Sequence, residues 1–219
     1  RVASLDETID ALAEIGEIAP RDRRRFRKLL DESRNFESLP IRTRLTDDEV
    51  ARFAVNRYRF PGVEIKARLF RQYPYGEVAS HVIGYIGRIN DRDVERIAGW
   101  EDTANYKGSD YIGKVGIEFS YERELHGTTG WEEVEVDAAG RAVRTLSRTA
   151  PVGGNNLRLS LDIKLQEAAE AAFRDRRGAL VAIEPATGDV LAFVSRPGYD
   201  PNLFVDGIDA TNWQLLNES

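Results

Sequence analysis

The best apolar runs in this chain, Ala179-Leu180-Val181-Ala182-Ile183 and Val190-Leu191-Ala192-Phe193-Val194, are only strand-length. Nothing approaches the ~18 to 20 consecutive apolar residues of a membrane-spanning helix. The two runs flank Pro185-Ala186-Thr187-Gly188, a turn signal, and so pair as a hairpin. Elsewhere the hydrophobic positions form short periodic sets broken by glycine and proline, which predicts a fold of many small elements. Cysteine is absent, which excludes disulfides, thiolate metal sites and a cysteine nucleophile. The compartment stays open, because a cysteine-free chain suits the cytosol and an exported setting equally. Methionine is absent too, and a chain that opens on Arg1 reads as a piece of a longer one. Residues 1–13 lack the basic-then-apolar order of a signal peptide. The net charge of −6 gives no global pull towards nucleic acid.

Helical spacing dominates the first sixty residues. Ser4-Leu5-Asp6-Glu7 has capping-box form, and Leu5, Ile9, Leu12, Ala13 and Ile15 follow at helical intervals, predicting a helix over 5–15. A second is expected over 21–31, with Phe26, Leu29 and Leu30 inward. Thr46-Asp47-Asp48-Glu49 opens a third, with Val50, Phe53 and Ala54 inward. After Phe60-Pro61-Gly62 the period changes: Val63, Ile65, Ala67 and Leu69 alternate with polar neighbours, predicting a half-buried strand. Helices are expected over 77–86, 91–98 (capped by Asn90) and 112–125, with a loop over 100–110. A hairpin is expected from 133–137 to 141–146 through Asp137-Ala138-Ala139-Gly140.

Ala150-Pro151-Val152-Gly153-Gly154-Asn155-Asn156 is the strongest boundary signal. Beyond it come an expected strand over 157–161 and a helix capped by Asp162. That helix would bury Leu165, Ala168, Ala169, Ala172 and Phe173, with Arg174, Arg176 and Arg177 in its last turn and Gly178 ending it. The class is α+β, in two parts.

No motif read from the residues makes a convincing catalytic centre. Gly108-Ser109-Asp110-Tyr111-Ile112-Gly113-Lys114-Val115 matches G-x-x-x-x-G-K, but Val115 offers no hydroxyl to Mg²⁺ and no buried strand precedes Gly108. A tight turn into a helix is the better reading. The basic run Arg21, Arg23, Arg24, Arg25, Arg27 and Lys28 is interleaved with Asp22 and followed by Asp31 and Glu32, so a solvated, locally paired face outweighs contact with nucleic acid or lipid headgroups. His81 and His126 lack partners at metal-ligand spacing and read as structural. Glu118 and Glu122 share a helix face, an arrangement that is usually solvated, although Glu118 follows two glycines and could be held at a junction.

Several patterns in order are more specific than any one alone. Arg59-Phe60-Pro61-Gly62-Val63-Glu64-Ile65 leads to Arg71-Gln72-Tyr73-Pro74-Tyr75-Gly76, then to His81-Val82-Ile83-Gly84-Tyr85-Ile86-Gly87-Arg88-Ile89-Asn90. Ile112-Gly113-Lys114-Val115-Gly116-Ile117-Glu118 follows, then Glu133-Val134-Glu135-Val136-Asp137 before Gly140-Arg141. The last are Pro185-Ala186-Thr187-Gly188-Asp189-Val190-Leu191-Ala192 and Asp200-Pro201-Asn202-Leu203-Phe204-Val205-Asp206-Gly207-Ile208. In this order the chain resembles the class B penicillin-binding proteins, and among them the elongation transpeptidases. The resemblance covers nearly the whole chain and is weakest over residues 1–45.

The resemblance implies an elongated, non-catalytic pedestal over 1–150, a linker over 151–156, and the first helix and strands of a transpeptidase domain over 157–219. It implies a periplasmic enzyme, held to the inner membrane by an N-terminal helix not present here. That enzyme cross-links peptidoglycan stem peptides through a serine acyl-enzyme, which β-lactams intercept, and uses no cofactor. Its implied partners are a periplasmic shape-determining scaffold protein and the glycan polymerase of the elongation complex, with no nucleic acid. The chemistry needs S-x-x-K, S-x-N and K-T-G. The first and last are absent, and Ser33-Arg34-Asn35 lies in the helical N-terminal region, where its match to S-x-N is chance. No catalytic residue is therefore assigned. Arg71, Tyr73, Gly76, Gly113, Gly116 and Glu118 map to pedestal motifs that hold subdomains together, and Glu118 is expected to pair with an arginine such as Arg71. Phe53, Tyr58 and Phe70 are candidates for a partner surface, against the plainer reading that they are core. The alternatives are a stand-alone interaction module of the elongation machinery, or a headgroup or nucleic-acid binder through residues 21–28.

Overall fold

Three amphipathic helices open the chain, as their spacing dictates. The computed structural model describes residues 5–16, 18–32, 39–67, 69–137, 142–205 and 207–218. Its residues group into two compact units, one of 1–69 with 136–143 and the other of 70–135 with 144–219.

In the first unit, α1 (Leu5–Ile15) buries Ile9 and Leu12, and α2 (Pro20–Glu32) buries Phe26. In α3 (Asp47–Asn56) the capping box forms: Glu49 N donates to Thr46 Oγ1 at 3.3 Å, and Thr46 N donates to Glu49 Oε2 at 2.9 Å. That amide, together with Arg42, holds the Glu49 carboxyl down at about 2. The capping box expected at Ser4 lies outside the described residues. Leu12, Phe53 and Phe60 form the core, joined by Ile15, Ile18, Ile41 and Val63, with the Phe53 and Phe60 rings stacked at 6.0 Å.

The strand expected over 63–70 does not form; its described residues lie outside any ladder. Alternation makes a strand only where a neighbouring strand takes up the hydrogen bonds. Here Val63 packs on the core while Ile65 and Leu69 remain exposed.

In the second unit the expected helix over 77–86 shrinks to a single turn, α4 (Ser80–Ile83), followed by β1 (Tyr85–Arg88). The helix α5 (Asp91–Ala98) has a full capping box between Asn90 and Asp93. The expected loop over 100–110 contains a 3-10 turn, Thr103–Tyr106, which buries Tyr106 against Ile97 and Ile112.

The expected helix over 112–125 is wrong in its first half. Tyr111–Val115 is β2, antiparallel to β1, with Ile86 opposite Gly113. Two short helices follow, α6 (Gly116–Ser120) and α7 (Glu122–His126). A Cβ on Gly113 would lie 1.9 Å from the Glu118 carbonyl oxygen, so α6 folds back over a strand that only glycine can supply. Gly116 starts that reversal at φ +65°.

The strands β3 (Trp131–Val136) and β4 (Ala142–Thr149) pair as a two-stranded sheet. The intervening turn residues 138–140 lie outside the described set.

Residues 157–161 are not a strand, because only isolated bonds tie them to the edge of the following hairpin. Ser160 Oγ donates to Val190 O at 2.8 Å, and Asp162 N to Leu191 O at 2.9 Å. Asp162 caps α8 (Ile163–Phe173), accepting from the amides of Lys164 and Leu165. The helix ends at Phe173, so Arg174 is a cap residue with positive φ (+49°) instead of part of the last turn.

The expected buried face of α8 is also wrong: Leu165 is 40% exposed, whereas Gln166 is wholly buried. The helix packs on β6 (Val190–Arg196), which pairs antiparallel with β5 (Gly178–Ile183), as the two apolar runs require. Its contact is a carboxamide because the facing strand offers polar groups. Phe193 N donates to Gln166 Oε1 at 2.7 Å, and Gln166 Nε2 donates to Phe193 O at 2.9 Å. The short α9 (Asn202–Val205) and α10 (Ala210–Glu218) complete the described chain. Among the described residues, no helix is long and apolar enough to cross a membrane.

Candidate functional site

The reversal at Gly113 and Gly116 carries two carboxylates inward. Glu118 on α6 is 2% exposed and Glu122 at the start of α7 is 7% exposed. Their four-residue spacing reads as a solvated face on one long helix, but on two short helices turned against β2 both are interior.

Glu118 is held through one oxygen. Arg71 Nε donates to its Oε1 at 2.5 Å and Tyr73 Oη to the same oxygen at 3.1 Å. Tyr73 Oη also accepts from Ile86 N at 2.9 Å, tying the carboxylate to β1. Burial, followed by the Glu118 charge, raises the Tyr73 hydroxyl far above its ordinary pKa, so it stays a neutral donor. Arg71 also lies over the Tyr73 ring, 5.9 Å from its centroid.

Glu122 has no cation of its own. Its Oε2 accepts from Gly113 N at 2.7 Å, and no salt bridge reaches it among the described residues. Burial pushes its carboxyl up to about 7 and the Glu118 charge adds to the rise, while the Gly113 amide opposes it.

The motif positions meet only in part. Arg71, Tyr73, Gly113, Gly116 and Glu118 gather around β1, β2 and α6, whereas Gly76 lies in the turn after Tyr73 at φ +55°. Sequence reasoning missed Asn202. Its carboxamide accepts from Tyr73 N at 3.0 Å and donates to Tyr73 O at 2.9 Å, clamping both backbone groups of one residue. The Asp200-Pro201-Asn202 string was visible, but nothing local announced its target. Ser80 is another such residue, since it is 2% exposed and its Oγ accepts from Tyr199 N at 3.3 Å.

The remaining candidates separate cleanly. Phe53 is core, stacked on Phe60, and so cannot present a partner surface. Tyr58 is 83% exposed, and Phe70 is half-buried. Arg25 pairs locally with Asp22, as expected, but Arg23 pairs with Asp10 and Arg27 with Asp6, so these two arginines are held by the neighbouring helix α1 and not by acids in their own segment.

His81 Nε2 donates to Pro197 O at 2.9 Å. His126 stacks on Tyr106 at 4.2 Å, with Ser109 Oγ 2.9 Å from its Nε2. Gly108 leads into a strand, so the phosphate-loop match has neither its helix nor its hydroxyl. Among the described residues, no group of three His, Cys, Asp or Glu is placed to hold a metal.

A cleft of about 440 Å³ is lined by Arg71, Glu118, Asn155, Asn156 and Leu157. The carboxylate on its wall is already held by Arg71 and Tyr73. What this arrangement does is hold backbone; it presents no activated nucleophile.

The Penicillin-binding Protein dimerisation domain matches residues 1–159. The chain belongs to that family. The peptidoglycan D,D-transpeptidase MrdA of Escherichia coli K12 is 49% identical over all 219 residues, which make up 35% of that protein. MrdA of Acinetobacter baumannii is 44% identical over 218 residues, 32% of its length. The chain therefore spans about a third of the curated relatives it matches. Among solved structures, PBP2 in complex with MreC from Helicobacter pylori matches all of the chain at a TM-score of 0.77 and 27% identity, over 40% of that protein's chain. Pseudomonas aeruginosa PBP2 in complex with WCK 5153 matches 71% of the chain at 0.58 and 46% identity, over 30% of its own chain. The mixed helix-and-hairpin architecture of this family member matches those PBP2 structures.

Proposed function

We propose that this family member is the scaffold portion of a peptidoglycan D,D-transpeptidase that cross-links stem peptides during cell elongation. The observation that carries the reading is the 49% identity to MrdA along the whole chain. The Arg71–Glu118–Tyr73 cluster supports it, because a buried carboxylate held by two side chains and tied to β1 braces a scaffold. In this reading residues 1–150 are the pedestal, 151–156 the linker, and 157–219 the first elements of the transpeptidase domain. The parent enzyme is periplasmic and anchored to the inner membrane. It acylates a serine outside this segment, and β-lactams intercept that serine. The segment itself carries neither S-x-x-K nor K-T-G. The complex of Helicobacter pylori PBP2 with MreC supports a shape-determining scaffold as the pedestal's partner. The glycan polymerase of the elongation complex is the second partner this reading assigns.

A fluorescent penicillin tests the chemistry. The folded parent enzyme should be labelled covalently and this segment should not. An unlabelled folded parent, or a labelled segment, would refute the assignment. Co-sedimentation of the parent with the scaffold protein of its own bacterium tests docking, and free migration of both proteins would remove that partner.

A further inference from the structure

Two hollows in the second unit run into one another. The polar cleft of about 440 Å³ beside Arg71 and Glu118 shares Ile117 and Leu159 with an apolar hollow of about 340 Å³. The other walls of that hollow include Val82, Val190 and Phe193, and the Phe193 side is left 41% exposed. The result is one trough with a polar half and an apolar half, in the size range of small-ligand sites.

Backbone fixes its walls. On one side the chain crosses α7 so closely that a Cβ on Gly154 would lie 1.9 Å from Leu125 O, and Asn155 N donates to Glu124 O at 2.7 Å. The same crossing segment is tied to β6 through Ser160 and Asp162. On the other side α6 is held to β2 by the close approach at Gly113. A cleft built this way exists before a ligand arrives, so little reorganisation opposes binding.

The polar half carries groups that the fold leaves unused. Arg71 commits Nε to Glu118, and its side chain is 42% exposed. Glu118 is buried, yet both of its bonds fall on Oε1, and among the described residues Oε2 accepts nothing. An acceptor held this deep without a donor is costly, and a ligand N–H would relieve it. Asn155 and Asn156 are exposed, and among the described residues their carboxamides make no hydrogen bond.

Charge balance selects the ligand. Arg71 and Glu118 offset one another, so a phosphate would meet the free carboxylate oxygen and a cation would meet the guanidinium. A peptide group suits both at once, with its N–H for Oε2 and its C=O for the guanidinium or a carboxamide. The adjoining apolar half then takes an aliphatic side chain, which a sugar does not supply.

We infer that this trough binds a short, uncharged, extended peptide supplied by another molecule. Its backbone lies against Arg71, Glu118 and the two asparagines, and an aliphatic side chain lies over Ile117 and Leu159. The inference does not depend on the transpeptidase reading.

Acetyl-leucyl-alanine methylamide, titrated into the isotope-labelled chain and followed by NMR, tests it. Saturable shifts should appear at the Asn155 and Asn156 carboxamides and at Arg71 Nε–H, with a Kd on the order of 0.1 to 1 mM. Acetyl-glycyl-glycine methylamide, which lacks the side chain, should bind about tenfold more weakly or worse. Ile117→Asp should do the same to the leucyl probe, and Asn155→Ala with Asn156→Ala should weaken it about threefold or more. Thermal melting of each variant separates loss of the site from loss of fold. No saturable shift at about 10 mM probe would overturn the inference. So would saturation by inorganic phosphate or N-acetylglucosamine at the same groups, or equal binding of the glycyl and leucyl probes. Binding by this chain that disappears in the folded parent would assign the trough to the parent's own polypeptide, and would likewise overturn it.

Discussion

Replacing Glu122 by glutamine removes one titratable proton from the interior of the second unit and leaves the side chain's shape nearly unchanged. The carboxyl is 7% exposed, and Gly113 N donates to it at 2.7 Å. The groups acting on it are Tyr106 from the 3-10 turn, Glu118 from α6 and Arg96 from α5. Burial lifts its pKa from 4.5 to about 7. A carboxyl whose folded pKa lies above its unfolded one binds its proton more tightly in the native state. The resulting stabilisation is complete below the unfolded pKa and is lost as pH rises through the folded one. A rise of this size is worth about 3 kcal/mol, or roughly 6 to 12 °C in Tm for a chain of this length. Urea unfolding followed by circular dichroism from about pH 5 to about pH 9 would measure it. The unmodified chain should lose about 3 kcal/mol relative to Glu122→Gln across that range, because every other titration cancels in the difference. The two should agree to about 1 kcal/mol at the acid end, where Glu122 carries its proton. Parallel curves, or a glutamine variant weaker by the same amount at every pH, would show that Glu122 is not protonated in the native interior.

Gly113→Ala sets a methyl group 1.9 Å from the Glu118 carbonyl oxygen, with only backbone to move, and should cost more than about 3 kcal/mol. A Tm within a degree or two of the unmodified chain would show that α6 can lift off β2. Arg71→Ala strips the cation from a buried carboxylate, and Tyr73→Phe removes a hydroxyl that both donates to Glu118 and accepts from Ile86 N. Each should cost about 2 kcal/mol, with a coupling of about 1 kcal/mol in the double-mutant cycle, and strict additivity would deny that they share Glu118. Gln166→Leu removes the partner of both backbone groups of Phe193 and should cost about 1 to 3 kcal/mol. Hydrogen exchange at the Phe193 amide is the direct readout, and unchanged protection would contradict the clamp.

What could be read from the sequence and what could not divide along a physical line. Both complete capping boxes, Thr46 with Glu49 and Asn90 with Asp93, join groups three residues apart, and the helices behind them begin where the boxes place them. The β5–β6 hairpin is equally local, since two apolar runs and one turn leave a single register that buries Ala192 and Val194. The failures involve groups that meet only in the folded chain: a partner strand, a close backbone approach, or a polar side chain satisfying backbone distant in sequence. Periodicity favours Leu165 over Gln166 because it ranks residues by hydrophobicity. The deciding fact was that Phe193, 27 residues on, presents an N–H and a C=O to the helix. Ile117, Tyr121 and Leu125 suggested one long helix, yet the close approach at Gly113 depends on a carbonyl that arrives only when α6 has already turned back. Arg71, Tyr73 and Glu118 stand out through the order of their motifs along the chain, which periodicity does not encode. Asn202 belongs with them in space but could not be assigned, because its two bonds go to the main chain of Tyr73 and would serve any residue there. A side chain that recognises backbone imposes no identity on its partner, so a single sequence gives no sign of the pair. Buried carboxamides and carboxylates of this kind, which hold the interior of the second unit in register, can be found only in the folded chain.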